Sequence, residues 1–269
     1  MMPISDEDNK KVQLGILSYF SQFCKENKLQ YFLGYGSLIG AVRHNGFIPW
    51  DDDIDILMPR KDYNKLTGLF NKNKTDEKYE LVHPLNKKAR HPNVKIIDTR
   101  TVKIEKAIEY NLQDGYLGID IDIFPVDGQP ENEKEFRKWR KKLVHYYKGY
   151  TYCIRTFAQL GKREKVEKIV YSLLFKSKEE AYKKAQILHE MYPYENSRFV
   201  GVYESMYIYE GDRVPIECYE KSISHIFEGH YYDIPIGFDT ILRNWYGDYL
   251  KLPPQNEQQK HHACNVFWK

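Results

Sequence analysis

The spacing of apolar and polar positions predicts a first half of alternating helices and strands, followed by a mostly helical second half. Apolar residues at helical spacing follow Ser5, which with Asp8 resembles a capping box, and they predict a first helix over Asp6–Asn27. Strict alternation predicts strands over Asp53–Met58 and Gly118–Phe124, each with its polar residues on one face. Further helices are predicted over Leu38–His44, Arg60–Phe70 and Phe238–Tyr246, and further strands over Leu29–Leu33, Tyr79–His83, Val94–Asp98, Thr101–Ile104, Phe199–Tyr203 and His230–Ile234.

The pattern changes character near Gly128–Pro130. From Glu131 to Met191 it is mostly helical with charged faces. We therefore predict an α/β protein of the α+β kind, with a mixed-sheet core over residues 1–128. Residues 129–269 are predicted to form a mainly helical region that packs on this core and is not an independent domain. A length of 269 residues suits that arrangement.

Charge is distributed unevenly along the chain. The formal net charge is only +3, but residues 131–190 hold 16 lysines and arginines against 8 aspartates and glutamates. Such a stretch is either a solvated helix face or a surface for anionic partners, so peripheral contact with a membrane is one expectation. Nucleic-acid binding is not expected, because the stretch lacks interleaved aromatic residues and recognition motifs.

The sequence shows neither a long apolar run nor an apolar leader at its N-terminus. A cytoplasmic protein, at most peripheral at the inner face of the membrane, is therefore expected. The 4 cysteines are far apart in the sequence without CxxC spacing, which favours free thiols over a zinc or redox site.

Four carboxylates fall within residues 51–55, and this cluster is the strongest chemical signal in the chain. On a strand, Asp53 and Asp55 share a face while the flanking isoleucines enter the core. Neighbouring carboxylates repel unless a cation neutralises them, and oxygen ligands favour Mg²⁺ or Mn²⁺. A solvated acidic turn is the alternative, but buried isoleucines would aim both acids the same way. A calcium loop of the EF-hand type is excluded, because the required glycine is missing and Asp62 stands at position 12.

A glycine-rich segment, Gly34–Gly40, precedes the aspartates. Its spacing departs from the dinucleotide fingerprint, and it lacks the lysine of a P-loop. What remains is a strand, a Gly36-Ser37 turn and the start of a helix, where backbone N–H groups and the Ser37 hydroxyl can hold a phosphate. Arg43 and His44 would add donors to the same phosphate.

Taken together, Gly36-Ser37, Asp53-Ile54-Asp55 and an acid on a later strand resemble the nucleotidyltransferase fold. Asp120 or Asp122 is placed to supply that third acid, and alternation puts both on one face. At a finer level the sequence is similar to the LicD family. The resemblance is carried by Tyr35–Asp55, Ile121–Asp127 and Tyr246–Pro254.

The resemblance implies a metal-dependent transferase that moves phosphocholine from CDP-choline to a hydroxyl of a bacterial cell-surface glycan or glycolipid, such as a teichoic acid or capsule. It favours Asp122 as the third acid, so that Asp53, Asp55 and Asp122 form the metal-binding and catalytic set with Mg²⁺, or Mn²⁺. Asp122 is expected to accept the proton of the attacking hydroxyl. Substrate-binding residues are expected to be Gly36, Ser37, Arg43, His44, Trp50, Asp51, Asp52 and Asp120.

Other functions stay open at this point. Fukutin-related enzymes, which move ribitol phosphate from a CDP donor, are similar in the same motif, so glycerol or ribitol phosphate are alternative groups. A true nucleotidyltransferase and an inactive glycan- or nucleotide-binding module are further alternatives. The His261-His262 pair either approaches phosphates or lies on the surface. Quaternary ammonium prefers aromatic faces, and candidate residues for contacting choline are Tyr35, Trp50, Tyr116, Tyr203, Tyr207 and Trp245.

Overall fold

The computed structural model describes residues 1–105, 117–155, 157, 160–206, 210–258 and 264–269. The helices of the described chain are α1 Asp6–Asn27, α2 Tyr35–His44, α3 Arg60–Asn73, α4 Glu133–Ile154, α5 Lys162–Leu174, α6 Lys178–Glu190 and α7 Phe238–Tyr246. The strands are β1 Met2–Pro3, β2 Phe32–Leu33, β3 Asp55–Pro59, β4 Tyr79–Val82, β5 Val94–Asp98, β6 Thr101–Glu105, β7 Asp120–Gly128, β8 Phe199–Gly201, β9 Val214–Pro215, β10 Ser222–Phe227, β11 His230–Pro235 and β12 Cys264–Trp268.

A mixed central sheet organises the fold, which confirms the predicted α/β class. Its strands run in the order β2-β3-β7-β5-β4, and β8 and β9 extend it from the end of β7. The pair β3 and β7 is parallel, whereas the other pairs of this sheet are antiparallel. Ile54, Ile56 and Ile123 have no exposed surface and lie in the hydrophobic core beneath the sheet.

The register of β3 against β7 sets Asp55 directly opposite Asp122. Strand β3 starts at Asp55, two residues later than the alternation predicted. Asp53 therefore lies in the loop before β3. The reason is local, because the Asp55 N–H donates to Ser37 Oγ at 3.0 Å instead of to a neighbouring strand.

Helix α2 begins three residues earlier than predicted. Gly34 is its N-cap residue, and the Leu38 N–H donates to the Gly34 carbonyl at 2.9 Å. Gly36-Ser37 therefore forms part of the first helical turn and is not a turn before the helix. Tyr35 adopts a left-handed φ of 40°, which costs energy for a residue with a bulky side chain.

The second half packs its helices around its own aromatic cluster, which includes Trp139, Tyr147 and Tyr203. It also pairs with the first half across the proposed boundary at residue 128. Strand β8 pairs with the end of β7, and β12 pairs with β6.

A buried polar network joins the two halves as well. Arg60 donates two hydrogen bonds to the Asp127 carboxylate, at 2.6 and 2.7 Å, and His189 Nδ1 lies 2.9 Å from the same carboxylate. Burial acts to raise the pKa of Asp127, but Arg60 and His189 hold that pKa well below its usual range. Glu204 lies beside Arg60 and Gln186 in the same network.

In the second half, strand β11 was predicted, whereas β9, β10 and β12 were not. Strands β10 and β11 form a hairpin whose turn residues, Glu228 and Gly229, have φ values of 49° and 75°, typical of a type I′ turn. Strand β12 is inserted between β1 and β6 in a separate three-stranded sheet. Its neighbours His261 and His262 lie outside the described residues.

Candidate functional site

A cleft of about 1240 Å³ lies beside the start of α2. One wall consists of α2 residues with Asp51, Asp53 and Asp55. The opposite wall is the segment from Tyr246 to Glu257, which begins at the last residue of α7. The cleft thus brings together two of the sequence elements that resemble the LicD family, although they are separated by about two hundred residues.

Three neighbouring carboxylates form a compact group in this region. Oxygen atoms of Asp51, Asp52 and Asp53 all lie within 4.8 Å of one another. Gln13 of α1 donates to the Asp52 carbonyl at 3.0 Å and so braces the loop from below. Gln13 is almost fully buried. Hydrophobic periodicity placed it in a helix but gave no sign that it supports the aspartate loop.

Asp55 lies at the inner end of this group. Burial, followed by the negative charges of Asp53, Asp122 and Asp51, raises the pKa of Asp55 well above its usual value. Burial and Asp53 likewise raise the pKa of Asp51 to about 7. A divalent cation would offset this repulsion. The donor set consists of carboxylate oxygens, which fits Mg²⁺ or Mn²⁺ better than a softer metal.

The structure separates the two candidates for the third acid. Asp122 lies opposite Asp55, and its Oδ1 accepts hydrogen bonds from Lys95 and, at 2.8 Å, from Asn93. Asp120 is 3% exposed and forms ion pairs with Lys95 at 2.9 Å and Lys103 at 2.6 Å. Although burial acts to raise the pKa of Asp120, both lysines hold it well below its usual range. Asp120 therefore neutralises Lys95 and Lys103, whereas direct contact between Asp120 and substrate stays a prediction.

Gly36 and Ser37 shape the site in different ways. A Cβ atom at Gly36 would clash with Oδ2 of Asp51, so glycine allows that carboxylate to approach the first turn of α2. Ser37 is buried, and its oxygen accepts the Asp55 N–H. Its position indicates that Ser37 orients Asp55, whereas direct contact between its hydroxyl and a phosphate stays a prediction.

Of the basic residues expected near phosphate, Arg43 is held by the opposite wall and His44 is held by Arg43. Arg43 Nη1 donates to the Tyr249 carbonyl at 2.7 Å, and Arg43 Nε donates to His44 Nε2 at 2.9 Å. Burial and the neighbouring Arg43 lower the pKa of His44, which favours its neutral form. Arg43 and Trp50 line the cleft, and the His44 ring meets the Trp50 ring edge to face at 6.4 Å.

The wall from Tyr246 to Glu257 contributes residues that were not among the predicted site residues. The resemblance carried by Tyr246–Pro254 was a signal that this segment belongs to the site. The sequence does not show, however, that the segment faces α2. The wall is lined by Tyr246, Asp248, Tyr249, Lys251, Leu252, Pro253, Pro254, Asn256 and Glu257.

The aromatic candidates for choline fall into three groups. Tyr35 and Trp50 line the cleft. Trp245 lies behind it, stacked on Tyr35 at 4.5 Å between ring centroids, and Tyr203 belongs to the aromatic cluster of the helical half. Tyr116 and Tyr207 lie outside the described residues.

Within the described ranges, no helix combines the length and apolarity needed to cross a bilayer.

The chain is similar in sequence to several known proteins. Residues 28–164 match the family described as LicD/FKTN/FKRP, nucleotidyltransferase domain. The chain is 31% identical to the lipopolysaccharide cholinephosphotransferase LicD of Haemophilus influenzae, over 99% of each protein. It is also 37% identical to an uncharacterized protein of Rickettsia prowazekii over 22% of this chain and 26% of that protein. Similarity to mannosyltransferase regulator 4 of Saccharomyces cerevisiae, at 25% identity, covers 45% of this chain and 10% of that protein.

The family match includes α2, the aspartate loop and Asp55, which line the first wall of the cleft, and strand β7, which places Asp122 opposite Asp55. The full-length relative extends the similarity to the second wall. The chain belongs to the LicD family.

Proposed function

We propose that this protein transfers phosphocholine from CDP-choline to a hydroxyl group of a bacterial surface glycan or glycolipid of the lipopolysaccharide class. The observation that carries this proposal is the similarity of the whole chain to a lipopolysaccharide cholinephosphotransferase. The cleft supports it, because the carboxylates and the Tyr246–Glu257 wall face one another there. The chain is accordingly a phosphotransferase enzyme.

In this proposal Asp53, Asp55 and Asp122 would hold Mg²⁺, which would supply positive charge beside the donor diphosphate. Because the ladder between β3 and β7 fixes Asp55 opposite Asp122, these two acids need little rearrangement to act together.

The acceptor hydroxyl attacks the phosphorus atom that bears choline. A new P–O bond forms to the acceptor, and the P–O bond to the CMP oxygen breaks. Lys95 and Asn93 both donate to Oδ1 of Asp122 and fix the orientation of this carboxylate. Its Oδ2 would accept the proton of the hydroxyl.

The second wall would recognise the donor. It presents the ring of Tyr246, which is 44% exposed and suits a quaternary ammonium group, and the carboxylates of Asp248 and Glu257 add negative charge. Lys251 of the same wall, with Arg43 opposite, would attract the diphosphate.

The test is a donor panel of CDP-choline, CDP-glycerol, CDP-ribitol and CTP, each with Mg²⁺ and a lipopolysaccharide acceptor. We expect CMP release and a phosphodiester product with CDP-choline, and loss of turnover in Asp53→Ala with its circular dichroism unchanged. Glu190→Gln, an exposed carboxylate on α6, is the matched control and should keep full activity.

Other results would assign the chain differently. Preference for CDP-glycerol or CDP-ribitol would identify the alternative transferred groups. Pyrophosphate release from CTP would indicate a nucleotidyltransferase. Donor binding without turnover of any donor would indicate a binding module and refute the proposed catalytic role of the aspartates.

A further inference from the structure

Helix α5 is oriented with its apolar side toward solvent. Its apolar residues recur at helical spacing, and they are between 47% and 84% exposed. None of its 13 residues is buried. The exposed apolar residues, called here the α5 stripe, are Val166, Ile169, Val170, Leu173 and Leu174.

The side of α5 that faces the body of the protein is mostly polar, with Tyr171 stacked on Tyr152 as an aromatic contact. Glu164 bonds Arg155 at 3.0 Å, and Glu167 accepts a hydrogen bond from Tyr152 at 2.6 Å. Lys168 donates to the Tyr152 carbonyl at 2.6 Å. An amphipathic helix on a water-soluble protein normally buries its apolar face, so this arrangement is the reverse of the usual one.

The charges beside the α5 stripe are basic. Both acids of the helix, Glu164 and Glu167, form ion pairs with arginine or lysine on or beside α4, at 3.0 and 3.5 Å. Lys162, Lys165 and Lys176 are exposed. Exposed apolar residues bordered by lysines are the pattern of a helix that lies in the interface of an anionic bilayer.

We propose that the α5 stripe docks the protein onto the surface of a membrane containing anionic lipids. Apolar side chains would enter the boundary between headgroups and acyl chains, and the lysines would contact lipid phosphates. A second copy of the chain fits less well, because a two-fold interface centred on this helix would bring the same lysines of both copies together. The proposal does not depend on the donor, since docking requires no catalysis.

The test is flotation of the purified full-length protein with vesicles. One set contains only phosphatidylcholine, and the other contains about one third phosphatidylglycerol. We expect binding to the anionic vesicles, weaker binding to neutral ones, and a decrease at high salt. Burying one leucine is worth roughly tenfold to hundredfold in partition, so Val170→Gln/Leu173→Gln should reduce binding by at least tenfold.

Controls separate docking from unfolding and from self-association. Tyr231→Gln, which changes a side chain 69% exposed on β11, should leave vesicle binding unchanged. The double variant should keep its circular dichroism and its release of CMP with a water-soluble acceptor. If the wild type ignores anionic vesicles, binds neutral ones equally, or forms a dimer that the double variant abolishes, the proposal is wrong. A wild type that releases no CMP but binds anionic vesicles, with binding reduced in the double variant, would refute the proposed function and leave docking intact.

Discussion

Replacing Glu204 with glutamine should stabilise the protein at neutral and mildly alkaline pH. Glu204 is 3% exposed and lies in the network around Arg60 and Asp127. Burial raises the pKa of Glu204 from 4.5 to about 7, and Arg60 only partly opposes this effect. Glutamine keeps nearly the same shape and can still hydrogen-bond Tyr63 and Gln186, which contact the carboxylate in the wild type.

The magnitude follows from the two pKa values. Below pH 4.5 the Glu204 side chain is protonated in both states and contributes no pH dependence. Between pH 4.5 and about 7 the unfolded chain releases the proton while the folded chain keeps it, so stability falls as pH rises. The full penalty above pH 7 is about 3 kcal/mol at 1.4 kcal/mol for each pKa unit. The pKa of about 7 already includes the attraction of Arg60, so replacing the carboxylate with a neutral amide should recover most of this penalty, a net gain of about 2–3 kcal/mol at pH 8.

The assay is urea unfolding of wild type and Glu204→Gln at pH 5 and pH 8. The variant should be more stable at pH 8, and its advantage should shrink at pH 5. Glu190→Gln, which changes an exposed carboxylate, should show no such difference. A Glu204→Gln protein that is less stable at pH 8, with the pH dependence of the wild type, would show that Glu204 is ionised and stabilised by Arg60, contrary to this reasoning.

Three further predictions concern the cleft. Gly36→Ala should lower CMP release by about tenfold or more with little change in melting temperature, because the new methyl group displaces the flexible Asp51 side chain. Unchanged turnover would show that the reaction does not depend on the position of Asp51. Ser37→Ala should lower the free energy of unfolding by about 1–3 kcal/mol and also reduce activity, because the Asp55 N–H loses its acceptor; urea unfolding and CMP release measure the two effects, and a stable, active variant would contradict the role given to Ser37. Asp55→Asn should raise the melting temperature without metal, because the repulsion around Asp55 is relieved, and should abolish any rise caused by Mg²⁺; a thermal shift with Mg²⁺ equal to that of the wild type would argue against Asp55 as a ligand.

Hydrophobic periodicity and capping residues correctly predicted the helices and strands that depend on contacts within their own segment. Helix α7 and strand β5 have the predicted bounds, and α1 begins after its Ser5 cap as expected. Alternation correctly placed Asp120 and Asp122 on one face of β7, since Lys95 contacts both.

The parts that the sequence did not predict depend on contacts between distant segments. Alternation could not show that Lys103 and Lys95 would engage Asp120, because those lysines come from other strands. Periodicity identified a helical region around α5 but not which of its sides faces the protein. The second wall of the cleft was missed because Tyr246–Glu257 meets α2 only in the folded chain.

The pairing of β3 with β7 also has a consequence for motion. The Asp122 N–H donates to the Ile54 carbonyl at 2.9 Å within the central sheet, where amide hydrogen exchange should require global unfolding. The opposite wall is held by short-range turns, such as Lys251 N–H to the Asp248 carbonyl at 3.1 Å and Glu257 N–H to the Pro254 carbonyl at 2.9 Å. Amides there should exchange by small local openings. Such openings would release CMP while the carboxylates stay in place. Opening of the Tyr246–Glu257 wall would then limit the rate of turnover, and the wall that carries the aspartates would hold the reacting groups in position.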